Sequence, residues 1–402
     1  MQSNNRVFRW TNWIAKTLCV IFIFVQISVD REFIANATAL KDTQMYRRST
    51  NFVPADTGRL ERVLINAACG KDTTIAFIGG SITEGYNATN KSNQYVQNVY
   101  KWWCESFPFT NINMINAGVG GTSSYLGVHR VKSEVLDYMP DLVFIEFSVN
   151  DAFSYEQMQT YENLIRRILL APNEPAVVLV FMTDKDGSSQ QDLDCALGTY
   201  YRLPMISYGN AVMPEIEAGS FLWSDISSDS IHPNDRGHII IAELINQYLE
   251  DIFQKACNSF IKTEYIIPPA ITPLSYMNAM VVDSSSIMPT ASRDFENASV
   301  NYHFTNDWDA TGENAVITFT IPAANIGLIY QRCIEGYRGQ YDVYIDDKYV
   351  TTLDGNFDRG KGTETDTIEL YRSDRVETHN ITIIKSADSE NYMFTILGLL
   401  IS

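Results

Sequence analysis

The chain has 402 residues, 45% hydrophobic and 12% aromatic, enough apolar side chain for a core in each of two domains, which excludes a largely disordered protein. Its formal net charge of −18, with no basic stripe along the sequence, excludes a nucleic-acid partner, whose phosphates demand clustered Lys and Arg. The acidic residues are dispersed and read as solubility.

At the N-terminus Arg6, Arg9 and Lys16 precede an apolar run over 17–29, the charge order of an export signal. Adding Trp13, Ile14 and Ala15 brings the run to the lower length limit of a spanning helix, with Lys16 snorkelling to the interface. No small-x-small cleavage site follows at the usual distance, since Ala35-Asn36-Ala37 lies far downstream. Residues 1–29 therefore read as an uncleaved signal anchor, with a cleaved signal peptide as the alternative. Either places the rest of the chain outside the cytoplasm, and the anchor makes the membrane a partner. Residues 30–55 are polar and unpatterned and read as a linker. The six cysteines form no C-x-x-C pair, which argues against a metal or redox motif. Without Cys19 five remain, so one structural bridge is compatible with at least one free thiol. Asn36, Asn87, Asn90, Asn297 and Asn380 stand in N-x-S/T triplets.

After a helix over 58–68, apolar runs alternate with helical stretches. Strands are expected at 74–78, 112–116, 142–148, 176–182 and 204–207, and helices at 95–107, 127–138, 155–170 and 190–201. A last helix over 233–253 carries Ile241, Leu244, Ile245, Tyr248 and Ile252 on one face. This alternation predicts a parallel sheet covered by helices on both faces, a catalytic domain over 56–258. A linker over 259–269 follows, and Pro268, Pro269 and Pro273 stop any helix. Beyond them Ile317, Phe319 and Ile321, then Tyr341, Val343 and Ile345, alternate with period two, and Asp346-Asp347-Lys348 reads as a hairpin turn. Further strands are expected at 379–384 and 392–401. The region 270–402 is thus an all-β sandwich, jelly-roll-like in expectation.

Within the first domain, Phe77-Ile-Gly-Gly-Ser-Ile-Thr-Glu-Gly85 is a strand, a tight turn and a helix start. Such a turn lifts Ser81 to the carboxyl edge of the sheet, facing helix-start N–H groups. A phosphate loop is the competing reading, but Gly79, Gly80 and Gly85 do not have the G-x-G-x-x-G spacing and the second strand ends in Asn116 rather than an acid. Three further stretches end predicted strands or precede the last helix. They are Asn116-Ala-Gly-Val-Gly-Gly-Thr-Ser123, Glu146-Phe-Ser-Val-Asn-Asp151 and Asp229-Ser-Ile-His-Pro-Asn234. A serine nucleophile needs a base and a group to orient that base; Asp229 and His232, three residues apart in one turn, can form the pair. The developing oxyanion needs donors, which the N–H groups of Ser81 and Gly121 and the amide of Asn150 can supply, with Gly120 as the competing backbone donor. No metal or organic cofactor is required. Asp151 and Glu146 read as loop supports or solvent-facing acids.

In this order the four stretches resemble the four blocks of the SGNH (GDSL) esterase superfamily over roughly residues 56–258. The resemblance implies a flavodoxin-like three-layer α/β/α domain, a Ser81–His232–Asp229 triad and an oxyanion hole from Ser81, Gly121 and Asn150. One departure is plain: the family's Gly-Asp-Ser reads Gly79-Gly80-Ser81 here. The Gly-Gly-Ser-Ile-Thr form is similar to branches linked to extracellular glycans that carry an added β-domain.

The expected function is a serine esterase removing O-acyl groups, acetyl foremost, from an extracellular carbohydrate. A glycan O-acyltransferase with the same triad and an inactive exported glycan-binding protein are the alternatives. His129, His238, His303 and His379 have no comparable partner in sequence and read as structural. Trp308, Tyr330, Tyr337 and Tyr341 suit either core packing or a sugar-stacking platform, and Asp307 with Asp309 are too few acids for a cation site.

Overall fold

The computed structural model describes residues 43–258, 264–358 and 362–402. The expected signal segment over 1–29 lies outside the described residues, as do the first part of the linker after it and residues 259–263. Among the described residues no helix is long and apolar enough to cross a membrane.

Strands β1 (Thr73–Gly79), β2 (Ile112–Gly118), β3 (Leu142–Glu146), β4 (Ala176–Phe181) and β5 (Met205–Ser207) form a parallel sheet in the order β2-β1-β3-β4-β5. That order puts a topological switch between β1 and β3, where the carboxyl ends open a crevice. The helices are α1 (Gln44–Ser49), α2 (Gly58–Ala68), α3 (Ser81–Glu84), α4 (Tyr95–Ser106), α5 (Ser124–Glu134), α6 (Tyr155–Leu169), α7 (Gln191–Tyr200), α8 (Tyr208–Glu217), α9 (Trp223–Ile226) and α10 (Asp235–Asn258).

Strand side chains point alternately to the two faces, and here both faces are buried. Ile75, Phe77, Leu142, Phe144, Val178 and Val180 enter one layer with α2, α4 and α10. Ala76, Ile78, Val143, Ile145, Val177 and Leu179 enter the other with α5, α6 and α7. This is why the strands read as continuous apolar runs.

Helix α8 falls where no element is expected, and Pro214 lies inside it. A proline there leaves the carbonyl of Asn210 without its helical N–H. Arg48, from α1, donates its Nε to that carbonyl at 3.2 Å, and its Nη2 bonds Ala211 O and Glu215. Part of the stretch expected as a linker is therefore a packed helix that completes α8, with Tyr46 buried and donating to Asp251 at 2.6 Å. At the last helix, Asn234 Oδ1 accepts from the N–H of Arg236 and Gly237, so α10 starts after Pro233.

The remaining strands are β6 (Met280–Val282), β7 (Ala291–Arg293), β8 (Phe295–Ala298), β9 (Asp307–Ala310), β10 (Val316–Cys333), β11 (Gln340–Ile345), β12 (Lys348–Asp354), β13 (Thr363–Lys385) and β14 (Thr395–Ile401). They pair only antiparallel, in the order β12-β11-β13-β10-β14-β9-β8 with β6 on β14 and β7 on β10, and make a separate all-β domain. Tyr341, Val343 and Ile345 are buried as their alternation requires, and Asp346 and Asp347 take positive φ in the hairpin turn. The strand expected at 379–384 is the end of a 23-residue strand, β13, whose polar, exposed first part gave no apolar alternation.

The segment after residue 263 lies along α6. Gln159 and Asn163 donate to Pro273 O at 3.1 and 3.0 Å, Glu162 accepts from the N–H of Ile271 and Thr272 at 2.8 and 2.7 Å, and Arg166 and Arg167 donate to Pro268 O and Ala279 O at 2.7 and 2.6 Å. These side chains sit three or four residues apart, so one helix face supplies them all. Tyr276, Phe304, Ile329, Leu397 and Leu400 then join the same apolar cluster as α5 and α6. The two domains share a core.

Candidate active site

The serine turn is built by burial and backbone restraint. Gly79 ends β1, Gly80 is extended, and Ser81 begins α3. Buried Arg130 of α5 donates Nη2 to Gly79 O at 2.9 Å and Nη1 to Ala117 O at 2.6 Å, tying the ends of β1 and β2 together. Beneath the turn, Glu146 at the end of β3 is fully buried and accepts from Thr83 Oγ1 at 2.8 Å. Burial pushes its carboxyl up to about 7, against the hydrogen bond from Thr83, with Asp151 adding to the rise. Asp151 is likewise pushed up to about 7 by burial, and its Oδ1 accepts from the N–H of Ser124 at 2.7 Å, holding the start of α5. Of the two roles expected of these acids, the structure shows loop support: Glu146 is fully buried beneath the serine turn, and the partly exposed Asp151 holds the start of α5.

Ser81 Oγ lies 2.9 Å from His232 Nε2, and His232 Nδ1 lies 2.8 Å from Asp229 Oδ2. Asp229 Oδ1 also accepts from the N–H of Ile231 and of His232, both at 2.7 Å. Burial pushes the Asp229 carboxyl upward, but those backbone bonds and the His232 side chain outweigh it and bring it down to about 2. An ionised Asp229 accepting from Nδ1–H leaves Nε2 free to take the Ser81 proton. The loop is braced by Trp223 Nε1, which donates to Asp229 O at 2.7 Å, and by Ser227 Oγ, 2.6 Å from His232 O.

Ser81 N–H, Gly121 N–H and Asn150 Nδ2 have no partner among the described residues. Gly120 N–H, the competing donor, is engaged: it donates to Glu84 Oε2 at 2.7 Å. Gly121 has φ +70, which turns its amide out of line with its neighbour's. The Asn150 side chain lies against Gly80, where a Cβ would meet Asn150 Oδ1 at 2.3 Å. A residue with a side chain at 80 and Asn150 in this position are therefore mutually exclusive. Gly121 and Asn150 also line a cleft of about 320 Å³ whose far wall is Thr367, Glu369 and Arg372 of the β domain.

Several residues at this site carry no local signal in the sequence. Asn87 Nδ2 donates to Asp229 Oδ2 at 2.9 Å, so the asparagine of one N-x-S/T triplet is engaged at the acid. The Tyr86 ring lies 4.5 Å from that of His232, and His238 fixes Tyr86 by donating Nε2–H to its carbonyl while its Nδ1 accepts from Tyr95 N–H. His303, from the β domain, reaches Glu84 Oε1 at 3.1 Å. His129 is buried between Tyr125 and Tyr276, and burial lowers it to about 4; His379 bonds Asp346 at 2.7 Å. Trp308, Tyr330 and Tyr341 are core residues, 1%, 6% and 0% exposed, so they form no platform with Tyr337. Among the described residues Cys104, Cys195, Cys257 and Cys333 are free thiols. Among the described residues, no group of three or more His, Cys, Asp or Glu gathers as metal ligands would.

Residues 77–240 match the model of the GDSL-like lipase/acylhydrolase family. Over both domains the chain is similar to two crystal structures of a two-domain esterase (CEX) active on acetylated mannans, one of them co-crystallised with mannopentaose. Both are 28% identical and cover 88% of this chain and 97% of their own, with TM-scores of 0.82 and 0.83. No curated protein matches the chain.

Proposed function

We propose that this chain, an α/β domain of the GDSL-like lipase/acylhydrolase family joined to an all-β domain, is a serine esterase that removes O-acyl groups, acetyl foremost, from an extracellular carbohydrate. The observation that carries it is the Ser81–His232–Asp229 relay beside three unpaired donors. Ser81 Oγ attacks the ester carbonyl as its proton passes to His232 Nε2, and Ser81 N–H, Gly121 N–H and Asn150 Nδ2 receive the oxyanion. The proton on His232 then goes to the departing sugar oxygen, leaving an acyl-Ser81. Water, deprotonated by the same nitrogen, releases the carboxylic acid and restores the hydroxyl.

The carbohydrate assignment is supported by similarity across both domains to an esterase active on acetylated mannans, and by a cleft with a polar and charged far wall that suits a hydroxyl-rich ligand. The same proposal takes 56–258 and 270–402 as the two domains. It reads the second as a jelly-roll-like sandwich folded at the register shift between Ala323 and Asn325 in β10. It places the protein at the cell surface, held by residues 1–29, on the strength of their charge order.

Turnover of an aryl acetate, followed by acetate release from acetylated mannan, tests the reading. Ser81→Ala is expected to remove both activities and fluorophosphonate labelling while leaving the fold intact. Wild-type-like turnover by that variant would sink it.

A further inference from the structure

We propose that His303 is a positioning residue of the esterase reaction, holding the Gly120–Gly121 loop in its donor geometry through Glu84. The inference rests on the esterase reading above.

Glu84 is the last residue of α3, whose first is Ser81, and its N–H donates to Gly80 O at 2.9 Å. One helical turn thus fixes its backbone relative to the nucleophile. Its carboxylate is divided between two partners. Oε2 accepts from Gly120 N–H at 2.7 Å, and Oε1 accepts from His303 Nε2–H at 3.1 Å. The first bond occupies the Gly120 amide and leaves the adjacent Gly121 amide without a partner among the described residues. Which of two adjacent amides is presented to a substrate is therefore set by where the Glu84 carboxylate stands.

Left alone, that carboxylate would not stand still. Its side chain is 36% exposed, and a glutamate with three rotatable bonds at a surface samples many rotamers. The imidazole removes that freedom, because it is itself fastened. Asn301 Oδ1 accepts from the N–H of His303 and of Phe304 at 2.9 and 3.1 Å, and Asn301 Nδ2 donates to Gln331 Oε1 at 3.1 Å. Phe304 is buried in the core the two domains share. The restraint runs from the β domain's core to His303, to Glu84, to the loop carrying Gly121, across 219 positions of sequence between the two side chains. His303 touches no reacting atom in this scheme; it acts by narrowing the positions of one that does.

Kinetics of His303→Ala, His303→Gln, Glu84→Ala and the His303→Ala/Glu84→Ala double variant test this on a small aryl acetate, alongside hydrogen–deuterium exchange of the peptide covering residues 118–123. His303→Ala is expected to lower kcat about 3- to 10-fold with KM unchanged. His303→Gln restores the rate, since its amide can donate to Glu84. Glu84→Ala costs at least as much as His303→Ala, and the double variant is no slower than Glu84→Ala, because His303 acts only through Glu84. Exchange of 118–123 speeds up in His303→Ala. Additive losses, a loss confined to KM, unchanged kcat or unchanged exchange each overturn the proposal. The exchange measurement needs no turnover, so it decides the loop restraint even if the Ser81→Ala control has sunk the esterase reading.

Discussion

Asp229 Oδ2 is shared between His232 Nδ1 at 2.8 Å and the Asn87 amide at 2.9 Å. The acid is thereby held from two sides, by its own loop and by the segment that leaves the serine helix. Asn87→Ala removes one restraint and keeps the charge, so kcat is expected to fall about 3- to 10-fold, equivalent to about 0.7 to 1.4 kcal/mol of barrier. Asp229→Asn, which loses the charge that stabilises the histidine cation, should fall about 10,000-fold. Steady-state kinetics of the two variants side by side check the ranking.

The Asn150 side chain lies against Gly80, which has no side chain to exclude it. Gly80→Ala puts a Cβ at 2.3 Å from Asn150 Oδ1 and must displace the amide. Its kcat should drop toward that of Asn150→Ala, and combining the two changes should add little further loss. A Gly80→Ala enzyme with unaltered kcat would mean that Asn150 moves without consequence.

In the proposed mechanism Asn150→Ala removes one of three donors to the oxyanion. The expected loss is about 100- to 1,000-fold in kcat with KM little changed, since the donor works in the transition state rather than on the bound ester. A loss borne by KM would assign Asn150 to substrate binding instead.

Burial raises Glu146 and Asp151 to about 7, above their ordinary carboxylate values of 4.5 and 3.8. A carboxyl raised on folding favours the folded state below its unfolded value, and that contribution is lost as pH rises through about 7. The melting temperature should therefore decline between pH 5 and pH 8. Glu146→Gln, neutral at every pH, should flatten the decline by a few degrees. Asp229, lowered to about 2, acts in the opposite sense, but only in acid: its stabilisation is present above the ordinary value of 3.8 and is lost as pH falls through about 2. Thermal melts across this range separate the two effects.

The strands at the centre of the α/β domain were legible because both their faces are buried, leaving apolar runs that end abruptly in glycine. The stretches holding Ser81, Gly121, Asn150 and Asp229–His232 were legible because each sits at a strand end or helix start and carries its chemistry within a few residues. What was hidden depends on contacts between distant positions. Nothing around His303 points to Glu84, and nothing around Arg48 announces that it will cap the carbonyl freed by Pro214. The aromatic residues of the β domain failed for a different reason. Trp308 and Tyr341 alternate in strands as either a core or an exposed face would require, and only packing against Phe319 and Phe394 decides between them.

The row of side chains by which α6 grips residues 268–279 has a consequence for how the molecule comes apart. An ordinary two-domain chain joined by a slack tether melts in two steps, one per module. Here residues 268–279 are hydrogen-bonded to α6 and continue into apolar residues that complete the neighbouring layer, so neither half has a finished surface of its own. Calorimetry should show a single cooperative transition, and a chain truncated at residue 258 should aggregate rather than persist as a free-standing α/β unit.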